Sequence, residues 1–171
     1  IPRQQESLRA GHWQTNVGLG LEGLTLGVIG LGKLGGRVAT VGKAFGMNVI
    51  AWSPNLKPER AAEVGVTAVD KQTLLREADV VTLHLVLSDR SRNTIGAEDL
   101  ALMKRSAFIV NTSRGPLINQ DALIASLTAG GIAGAGIDVF DIEPLPKGHP
   151  ILSAPNTVLT PHLGYVSEQN Y

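Results

Sequence analysis

Short apolar runs alternate with helical patterns along most of this 171-residue chain. Six runs have the length of strands: residues 24–30, 48–52, 78–87, 107–113, 132–140 and 156–161. After the first run, four apolar residues recur at the spacing of one helix face: Leu34, Val38, Val41 and Phe45. Two further helices are predicted over residues 57–65 and 119–131. This alternation predicts an α/β fold with a doubly wound parallel sheet, in three α/β/α layers.

A glycine-rich turn links the first predicted strand to the first helix. Gly30, Gly32 and Gly35 have the G-x-G-x-x-G spacing. Between a strand and a helix, this spacing is typical of the Rossmann-type dinucleotide-binding fold, because the glycines allow a tight turn and a close approach of the backbone to a pyrophosphate. The amides at the start of the helix, at Lys33 and Leu34, would face the phosphates. The sequence therefore predicts a bound dinucleotide, NAD or NADP.

The end of the second predicted strand carries no carboxylate. In an NAD site an acidic residue there binds the ribose 2′-hydroxyl, whereas this chain has Ser53. Without that negative charge a 2′-phosphate is not repelled, and Ser53 and three nearby residues could bind it: Asn55, Lys57 and Arg60. The alternative is that Ser53 binds a 2′-hydroxyl. The sequence favours NADP and leaves NAD open.

Reactive side chains follow the later predicted strands, on the side where ligands bind in parallel sheets. His162 has the residue type that suits acid–base chemistry near neutral pH. Glu143 or Asp141 could be its carboxylate partner, and the guanidinium of Arg114 suits a substrate carboxylate. Asp138 lies at a strand end, where it could accept a hydrogen bond from a nicotinamide carboxamide. Together these are the groups that hydride transfer to the carbonyl of a small acid requires.

The other three histidines lack this context. His84 lies inside an apolar run, which favours a hydrogen-bonded structural histidine that borders the cofactor over a catalytic one. His12 and His149 have no neighbours that suggest a function.

Composition narrows the classes of partner. The chain has 15 basic and 15 acidic residues, so its formal net charge is zero and no nucleic-acid or membrane-surface partner is predicted. No apolar run in the sequence has the length of a membrane span. The absence of cysteine excludes disulfides and cysteine zinc sites. It also permits a reducing compartment, so we expect a cytoplasmic protein without a metal site.

Four motifs of this chain resemble the cofactor-binding domain of the D-isomer-specific 2-hydroxyacid dehydrogenases: GVIGLGKLGG, VNTSRGPLINQDAL, GIDVFDIEPLP and TPHLGY. The resemblance runs from about residue 18 to the end of the chain. It implies that Arg114 holds a 2-oxo acid, that His162 is the general acid or base, and that Glu143 is hydrogen-bonded to His162. Beyond the glycine-rich turn, it implies six further cofactor contacts: Leu85, Val86, Ser91, Thr112, Ser113 and Asp138.

Several positions bear on how closely the family pattern applies. Ser53 stands where the family usually has aspartate, which leaves the choice between NAD and NADP open. Val86 replaces the usual proline, which puts the shape of its loop in question but not the chemistry. Ser91 stands where the family usually has threonine. Glu143 disfavours formate dehydrogenase, a relative that carries glutamine there.

The resemblance also implies that part of the family's architecture lies outside this chain. Residues 1–17 would be the tail of an interdomain helix or arm, and residues 18–171 the dinucleotide-binding domain. The substrate domain, which longer members build from both ends of the chain, would be absent. Because the family's active site lies in the interdomain cleft, we expect this chain to bind cofactor but to turn over poorly or not at all. Family members pair through this domain, so a homodimer is expected, with the arm contributing.

The function that the resemblance implies is an NAD(P)-dependent oxidoreductase acting on a small 2-oxo or 2-hydroxy acid. Glyoxylate or hydroxypyruvate is the favoured substrate, because a cofactor loop that tolerates NADP suits the reductive direction. A 3-phosphoglycerate dehydrogenase is the alternative within the family. A transcriptional corepressor that uses the same fold to sense the dinucleotide is an alternative from a different class.

Overall fold

The structure is a computed structural model that describes residues 2–168. Its centre is a sheet of seven parallel strands in the order β3-β2-β1-β4-β5-β6-β7. The strands are β1 Thr25–Ile29, β2 Asn48–Trp52, β3 Thr67–Ala68, β4 Val80–Leu83, β5 Phe108–Asn111, β6 Gly134–Ile137 and β7 Thr157–Leu159. The helices are α1 Pro2–Arg9, α2 Lys33–Ala44, α3 Pro58–Val64, α4 Lys71–Glu77, α5 Ala97–Leu102 and α6 Gln120–Thr128. The strand order reverses between β1 and β4, so the predicted Rossmann-type α/β fold is confirmed.

Helices cover both faces of this sheet. Val28 and Ile29 are neighbours on β1, so their side chains point to opposite faces, yet both are fully buried. Val28 packs in one cluster with Ala39 of α2, and Ile29 packs in another with Leu74 of α4. The three-layer prediction is therefore confirmed. Within residues 2–168, no helix is long and apolar enough to cross a membrane.

The register of the sheet aligns the carboxyl ends of its strands. Ile29, the last residue of β1, lies opposite Trp52 of β2 and Leu83 of β4. The row continues through the last residues of the next three strands, Asn111, Ile137 and Leu159. Six loops therefore leave the sheet at one level and along one edge, which is where ligands bind in such sheets.

Helix α2 turns a different face to the sheet from the one that its apolar spacing suggests. Its buried residues are Gly35, Gly36, Ala39 and Gly42. A Cβ at Gly42 would lie 2.5 Å from the side chain of Leu26 on β1, so the helix lies too close to the sheet for larger side chains. Three residues of the predicted apolar stripe are instead 63%, 54% and 59% exposed: Leu34, Val41 and Phe45.

Several element boundaries differ from the sequence prediction. The apolar run 78–87 forms a strand only at Val80–Leu83, and residues 84–87 belong to the loop that follows. The run 132–140 likewise forms a strand only at Gly134–Ile137. The helix predicted over residues 57–65 is confirmed at Pro58–Val64, with Gly65 ending it in the left-handed conformation (φ 66°). The sequence does not predict β3, α4 or α5, which are short elements of two, seven and six residues.

Candidate functional site

The glycine-rich turn after β1 is shaped to accept an anion. Gly30 has φ +100°, and a Cβ there would lie 2.7 Å from the backbone of His84, so the turn requires glycine. A Cβ at Gly35 would clash with the carbonyl oxygen of Gly30. No side chain caps the start of α2, which leaves the amides of Lys33 and Leu34 without an intrahelical acceptor. These exposed amides fit a pyrophosphate group.

Two side chains from the β2–α3 region fasten this turn. The Ser53 hydroxyl accepts a 3.0 Å hydrogen bond from the amide of Leu31. The Arg60 side chain extends from α3 back to the turn. Its Nε donates a 3.2 Å hydrogen bond to the carbonyl oxygen of Leu31, and its Nη2 donates a 3.2 Å hydrogen bond to the carbonyl oxygen of Gly32. Its Nη1 forms a 3.1 Å ion pair with Glu63. Arg60 is predicted from the sequence as a candidate for binding a 2′-phosphate, but two of these contacts tie its guanidinium to the turn and the third pairs it with Glu63.

One open cleft lies between the loops that follow β2 and β4, and we call it the β2–β4 cleft. Its volume is about 570 Å³. Five of the predicted cofactor contacts line it: Gly32, Ser53, Leu85, Val86 and Ser91. Among its described lining residues there is no aspartate or glutamate.

A second cleft, of about 690 Å³, borders α2 and the loops after β5 and β7. We call it the β5–β7 cleft. Five of the predicted site residues line it: Leu34, Thr112, Ser113, Arg114 and His162. The exposed amides at the start of α2 therefore lie near two clefts, an arrangement that fits the two halves of a dinucleotide.

A buried amide shapes the turn that presents Arg114. Asn111, the last residue of β5, is only 1% exposed. Its Nδ2 donates a 2.9 Å hydrogen bond to the carbonyl oxygen of Arg114, and its Oδ1 accepts a 3.1 Å bond from the amide of Ser113. The Arg114 guanidinium lies above this turn and donates a 2.6 Å bond to the Ser113 carbonyl. Most of its donors remain available to a ligand, because a guanidinium has five.

His162 and Glu143 form a hydrogen-bonded pair. His162 Nδ1 lies 2.7 Å from Glu143 Oε2, and the other carboxylate oxygen, Oε1, accepts a 2.8 Å bond from the amide of Phe140. The two side chains are 27% and 36% exposed, so the pair lies at the surface of the cleft. Of the two carboxylates that the sequence leaves open, Glu143 is therefore the partner. Asp141 lies elsewhere, where burial raises its pKa and the charge of Arg92 opposes that rise.

The charge of Glu143 is matched to this arrangement. Burial raises the pKa of Glu143, but the hydrogen bonds from His162 and Phe140 and the charges of His162 and Arg114 outweigh it. The pKa is therefore held below its ordinary value, and the carboxylate stays ionised at neutral pH. An ionised Glu143 accepts a hydrogen bond from the protonated Nδ1, which leaves Nε2 as the ring nitrogen that can exchange a proton with a ligand.

The backbone of His162 is held in an unusual conformation by Asp138. His162 has φ 54° and ψ 49°, a left-handed conformation that costs a non-glycine residue about 1–2 kcal/mol. The buried carboxylate of Asp138 accepts bonds from the Thr160 hydroxyl and from the amides of Leu163 (2.8 Å) and Gly164 (2.9 Å). The Asp138 carbonyl also accepts a 2.8 Å bond from the amide of His162. These four bonds fix the loop that carries the imidazole.

Comparison with known proteins identifies the family. Residues 1–164 match the family model of the D-isomer specific 2-hydroxyacid dehydrogenase, NAD binding domain. The chain belongs to this family. It is 45% identical over 156 residues to the glyoxylate reductase of Aeropyrum pernix, covering 91% of this chain and 47% of that protein. It spans about half or less of the length of the curated relatives it matches.

Solved structures of this dehydrogenase family share the fold. A putative D-3-phosphoglycerate dehydrogenase from Ralstonia solanacearum superposes with a TM-score of 0.93 at 39% identity, covering 100% of this chain and 54% of that one. A D-lactate dehydrogenase from Aquifex aeolicus, solved in complex with NAD and lactic acid, superposes with a TM-score of 0.89 at 30% identity. That match covers 98% of this chain and 56% of the other.

Two residues predicted to contact the cofactor make other contacts in this dehydrogenase domain. The Ser91 hydroxyl is buried and donates a 2.7 Å bond to the carbonyl of Val86, so it holds its own loop. The Asp138 carboxylate lies under the His162 loop and is not among the residues that line the two clefts. Contacts of Ser91 and Asp138 with a cofactor remain predictions.

Other residues that are not predicted from the sequence also line the clefts of the dehydrogenase domain. Arg37 and Tyr165 line the β5–β7 cleft, and Arg90 lines the β2–β4 cleft. The Tyr165 ring packs edge-on against the His162 ring, 5.0 Å away. Arg37 and Arg90 lie outside the recognisable motifs, so no signal in the sequence distinguishes them from surface arginines. His84 has the predicted hydrogen bond, with Nε2 3.0 Å from the Thr82 hydroxyl, and it lines the β5–β7 cleft.

Proposed function

We propose that this domain is part of an enzyme that interconverts small 2-oxo acids and 2-hydroxy acids with NAD(P)(H) as cofactor. The observation that carries the proposal is the 2.7 Å pair of His162 and Glu143, placed at the edge of a cleft that also contains Arg114. A general acid or base and a cation for the substrate carboxylate are the protein groups that this reaction needs.

Each of the three side chains has a separate part in the proposed reaction. His162 gives a proton from Nε2 to the substrate oxygen during reduction and takes it back during oxidation. Glu143 keeps Nδ1 protonated and stabilises the imidazolium that forms when His162 takes a proton. Arg114 binds the substrate carboxylate and polarises the neighbouring carbonyl.

The cofactor would supply or accept the hydride. In the proposal, the amides of Lys33 and Leu34 hold the pyrophosphate, and the two clefts hold the adenosine and nicotinamide halves. Leu85 and Val86 line the adenosine half, whereas Thr112 and Ser113 line the nicotinamide half.

We favour glyoxylate or hydroxypyruvate as the substrate, with 3-phosphoglycerate as the alternative. The 45% identity to a glyoxylate reductase supports the first choice, and an equal 45% identity to the D-3-phosphoglycerate dehydrogenase of Methanocaldococcus jannaschii supports the second. Comparison of kcat/KM for the three substrates decides between them.

Turnover would also need a substrate domain in addition to this chain. The chain spans only 47% of the Aeropyrum relative, which supports a longer enzyme. We call this chain joined to such a domain the two-domain protein. We expect the two-domain protein to reduce glyoxylate and the isolated chain to turn over poorly or not at all, and equal rates would refute this division of labour.

His162→Ala in the two-domain protein is the test of the enzyme proposal. We expect kcat to fall by roughly 10²–10⁴-fold, the range typical of a lost general acid, while NAD(P)H still binds. A dinucleotide-sensing corepressor would bind cofactor without turnover. In that case His162→Ala would change neither the rate of glyoxylate reduction, which would be absent in both proteins, nor the binding of NAD(P)H. His12→Ala, outside both clefts, is the control.

NADP is the favoured cofactor, with NAD as the alternative. The lack of a carboxylate among the described residues of the β2–β4 cleft supports this choice, because no negative charge there repels a 2′-phosphate. Separate titrations with NADH and NADPH, followed by nicotinamide fluorescence, test it. A preference above roughly tenfold, or about 1.4 kcal/mol, would decide between the two.

We also propose that the chain forms a homodimer. The exposed Val41 and Phe45 on the α2 side, together with exposed Trp13 and Val17 in the N-terminal arm, support a covered apolar surface. Light scattering should give twice the chain mass, and a monomeric mass at micromolar concentration would refute the proposal.

A cytoplasmic location remains a prediction.

A further inference from the structure

The β2–β4 cleft carries a positive charge on each of its two walls. Lys57 belongs to the wall formed by the loop after β2, and Arg90 belongs to the wall formed by the loop after β4. The two residues are 33 positions apart in sequence, and the strand order β2-β1-β4 brings their loops to one edge. With no acidic residue among the described lining, the cleft is suited to an anionic group.

Lys57 and Arg90 are available to a ligand, whereas Arg60 is not. Arg60 already donates to two backbone carbonyls and pairs with Glu63. Neither the Lys57 nor the Arg90 side chain makes a hydrogen bond or ion pair with another residue in the part of the chain that the structure describes, and both residues are exposed. A ligand would therefore meet two cations without having to break an existing contact.

The loop that carries Arg90 is itself well fixed. The buried Ser91 hydroxyl donates to the Val86 carbonyl and accepts a 2.7 Å bond from the Ser88 amide. The Ser88 carbonyl accepts further bonds from the amides of Ser91 and Arg92. Arg90 thus projects from a closed turn, which lowers the entropy lost when its guanidinium binds an anion.

Ser53 adds a neutral donor to the same cleft. Its oxygen accepts a bond from the Leu31 amide, so its own hydrogen remains to be donated. A hydroxyl that can donate, in one cleft with two cations, matches the chemistry of a phosphate ester with two negative charges.

We propose that Lys57 and Arg90 clamp the 2′-phosphate of NADP from opposite walls of the β2–β4 cleft, and that Arg90 determines cofactor specificity. This inference rests on the proposed function, because it assumes that the adenosine half of a dinucleotide occupies this cleft. It goes further in assigning the choice of cofactor to Arg90 on the β4 side, a residue that the family resemblance does not include among the cofactor contacts.

Arg90→Gln, titrated with NADH and NADPH by nicotinamide fluorescence, tests the clamp. We expect the Kd for NADPH to rise about tenfold, as for loss of one charge-assisted contact, and the Kd for NADH to change less than about twofold. Lys57→Gln should act in the same direction, and Arg90→Glu should disfavour NADPH more strongly because it repels the phosphate. The preference of the unaltered chain for NADPH should also fall as salt is raised.

Arg92→Gln is the matched control. It removes the same charge from the same loop, but Arg92 does not line the cleft and lies instead near Asp141. It should leave both dissociation constants unchanged. Circular dichroism of each variant checks that the fold is intact.

The possible outcomes separate this inference from the proposed function. Equal losses for NADH and NADPH in Arg90→Gln, no loss for either, or the same loss in Arg92→Gln would overturn the clamp and leave dinucleotide binding intact. A tenfold preference of the unaltered chain for NADH would also overturn it. Failure of the unaltered chain to bind either dinucleotide would overturn the proposed function, and the clamp with it.

Discussion

His162 at the β5–β7 cleft is fixed by a 2.7 Å hydrogen bond to Glu143, whereas Arg90 at the β2–β4 cleft makes no hydrogen bond or ion pair with another described residue. The loops of the β5–β7 cleft are also fixed by hydrogen bonds with the buried polar side chains of Asp138 and Asn111. The two ends of the proposed site thus differ in how tightly their charged groups are positioned.

The difference follows from what each end is proposed to do. Proton transfer requires the donor and acceptor atoms to lie within hydrogen-bond reach in one geometry, so small displacements are costly. Attraction between a cation and a phosphate falls slowly with distance and tolerates several geometries. Substitutions at the His162 end should therefore change kcat, and substitutions at the Arg90 end should change the choice of cofactor.

Glu143→Gln in the two-domain protein should cause the largest change, and the quantity that changes should be kcat. The substitution keeps the shape of the side chain but removes the charge that orients and stabilises a protonated imidazole, so kcat should fall by roughly 10²–10⁴-fold. Cofactor dissociation constants should stay within about twofold. Steady-state kinetics and fluorescence titration measure the two quantities, with Glu98→Gln on α5 as the control. A fall in cofactor affinity that matches the fall in kcat would remove the distinction between the two ends.

Asp138→Asn should have the next largest effect. The kcat should fall on the order of tenfold to a hundredfold, because a shift of the His162 loop misplaces the imidazole. Asparagine has one acceptor oxygen, so at least one of the donors from Thr160, Leu163 and Gly164 loses its partner. Asp121→Asn, an exposed carboxylate on α6, is the control and should leave kcat unchanged.

The stability that Asp138→Asn loses relative to the unaltered chain should depend on pH. Burial raises the pKa of Asp138, but its hydrogen bonds from Thr160, Leu163 and Gly164 and the charge of His162 outweigh that effect and hold the pKa below its ordinary value of about 4. A lowered pKa contributes stability above pH 4, and this contribution is lost as pH falls through the folded-state pKa. The Tm difference between the unaltered chain and Asp138→Asn should be largest near pH 7 and should shrink below about pH 4. A difference that does not change with pH would show that the carboxylate charge is not what holds the loop.

Ser53→Asp should change cofactor choice by about tenfold without affecting kcat. An aspartate there restores the acid that binds the 2′-hydroxyl of NAD and repels a 2′-phosphate. The ratio of the Kd values for NADPH and NADH, measured by fluorescence titration, should rise. Ser106→Asp, on an exposed turn, adds the same charge away from the cleft and should leave the ratio unchanged. An unchanged ratio in Ser53→Asp would mean that the adenosine ribose does not approach this position.

The contrast between the two ends also explains what could be predicted from the sequence. His162, Glu143 and Arg114 belong to specific motifs that follow strands, so their common location follows from the parallel sheet alone. Arg90 belongs to no motif, and only the register of β1 with β4 shows which cleft it lines.

Helix α2 shows a second limit of sequence reasoning. Apolar spacing identifies the helix correctly, but the close approach of Gly42 to Leu26 puts the glycine face, and not the apolar stripe, against the sheet. Similarly, the apolar run 78–87 continues past β4 because Leu85 and Val86 are apolar loop residues that line the β2–β4 cleft. Hydropathy alone does not distinguish apolar residues at a ligand or partner surface from apolar residues of the core.

His84→Gln should have the smallest effect, although His84 lines the same cleft as His162 and Arg114. Burial lowers the pKa of His84, so it is neutral at pH 7 and adds no charge to the substrate site. Glutamine is also neutral and can bond to the Thr82 hydroxyl, so kcat/KM at pH 7 should change by less than about threefold. A buried neutral histidine contributes stability above about pH 6.5 that is lost as pH falls through its lowered folded-state pKa. The Tm advantage of the unaltered chain over His84→Gln should therefore shrink between pH 7 and pH 5, and a large loss of kcat at pH 7 would instead place His84 among the groups that take part in the reaction.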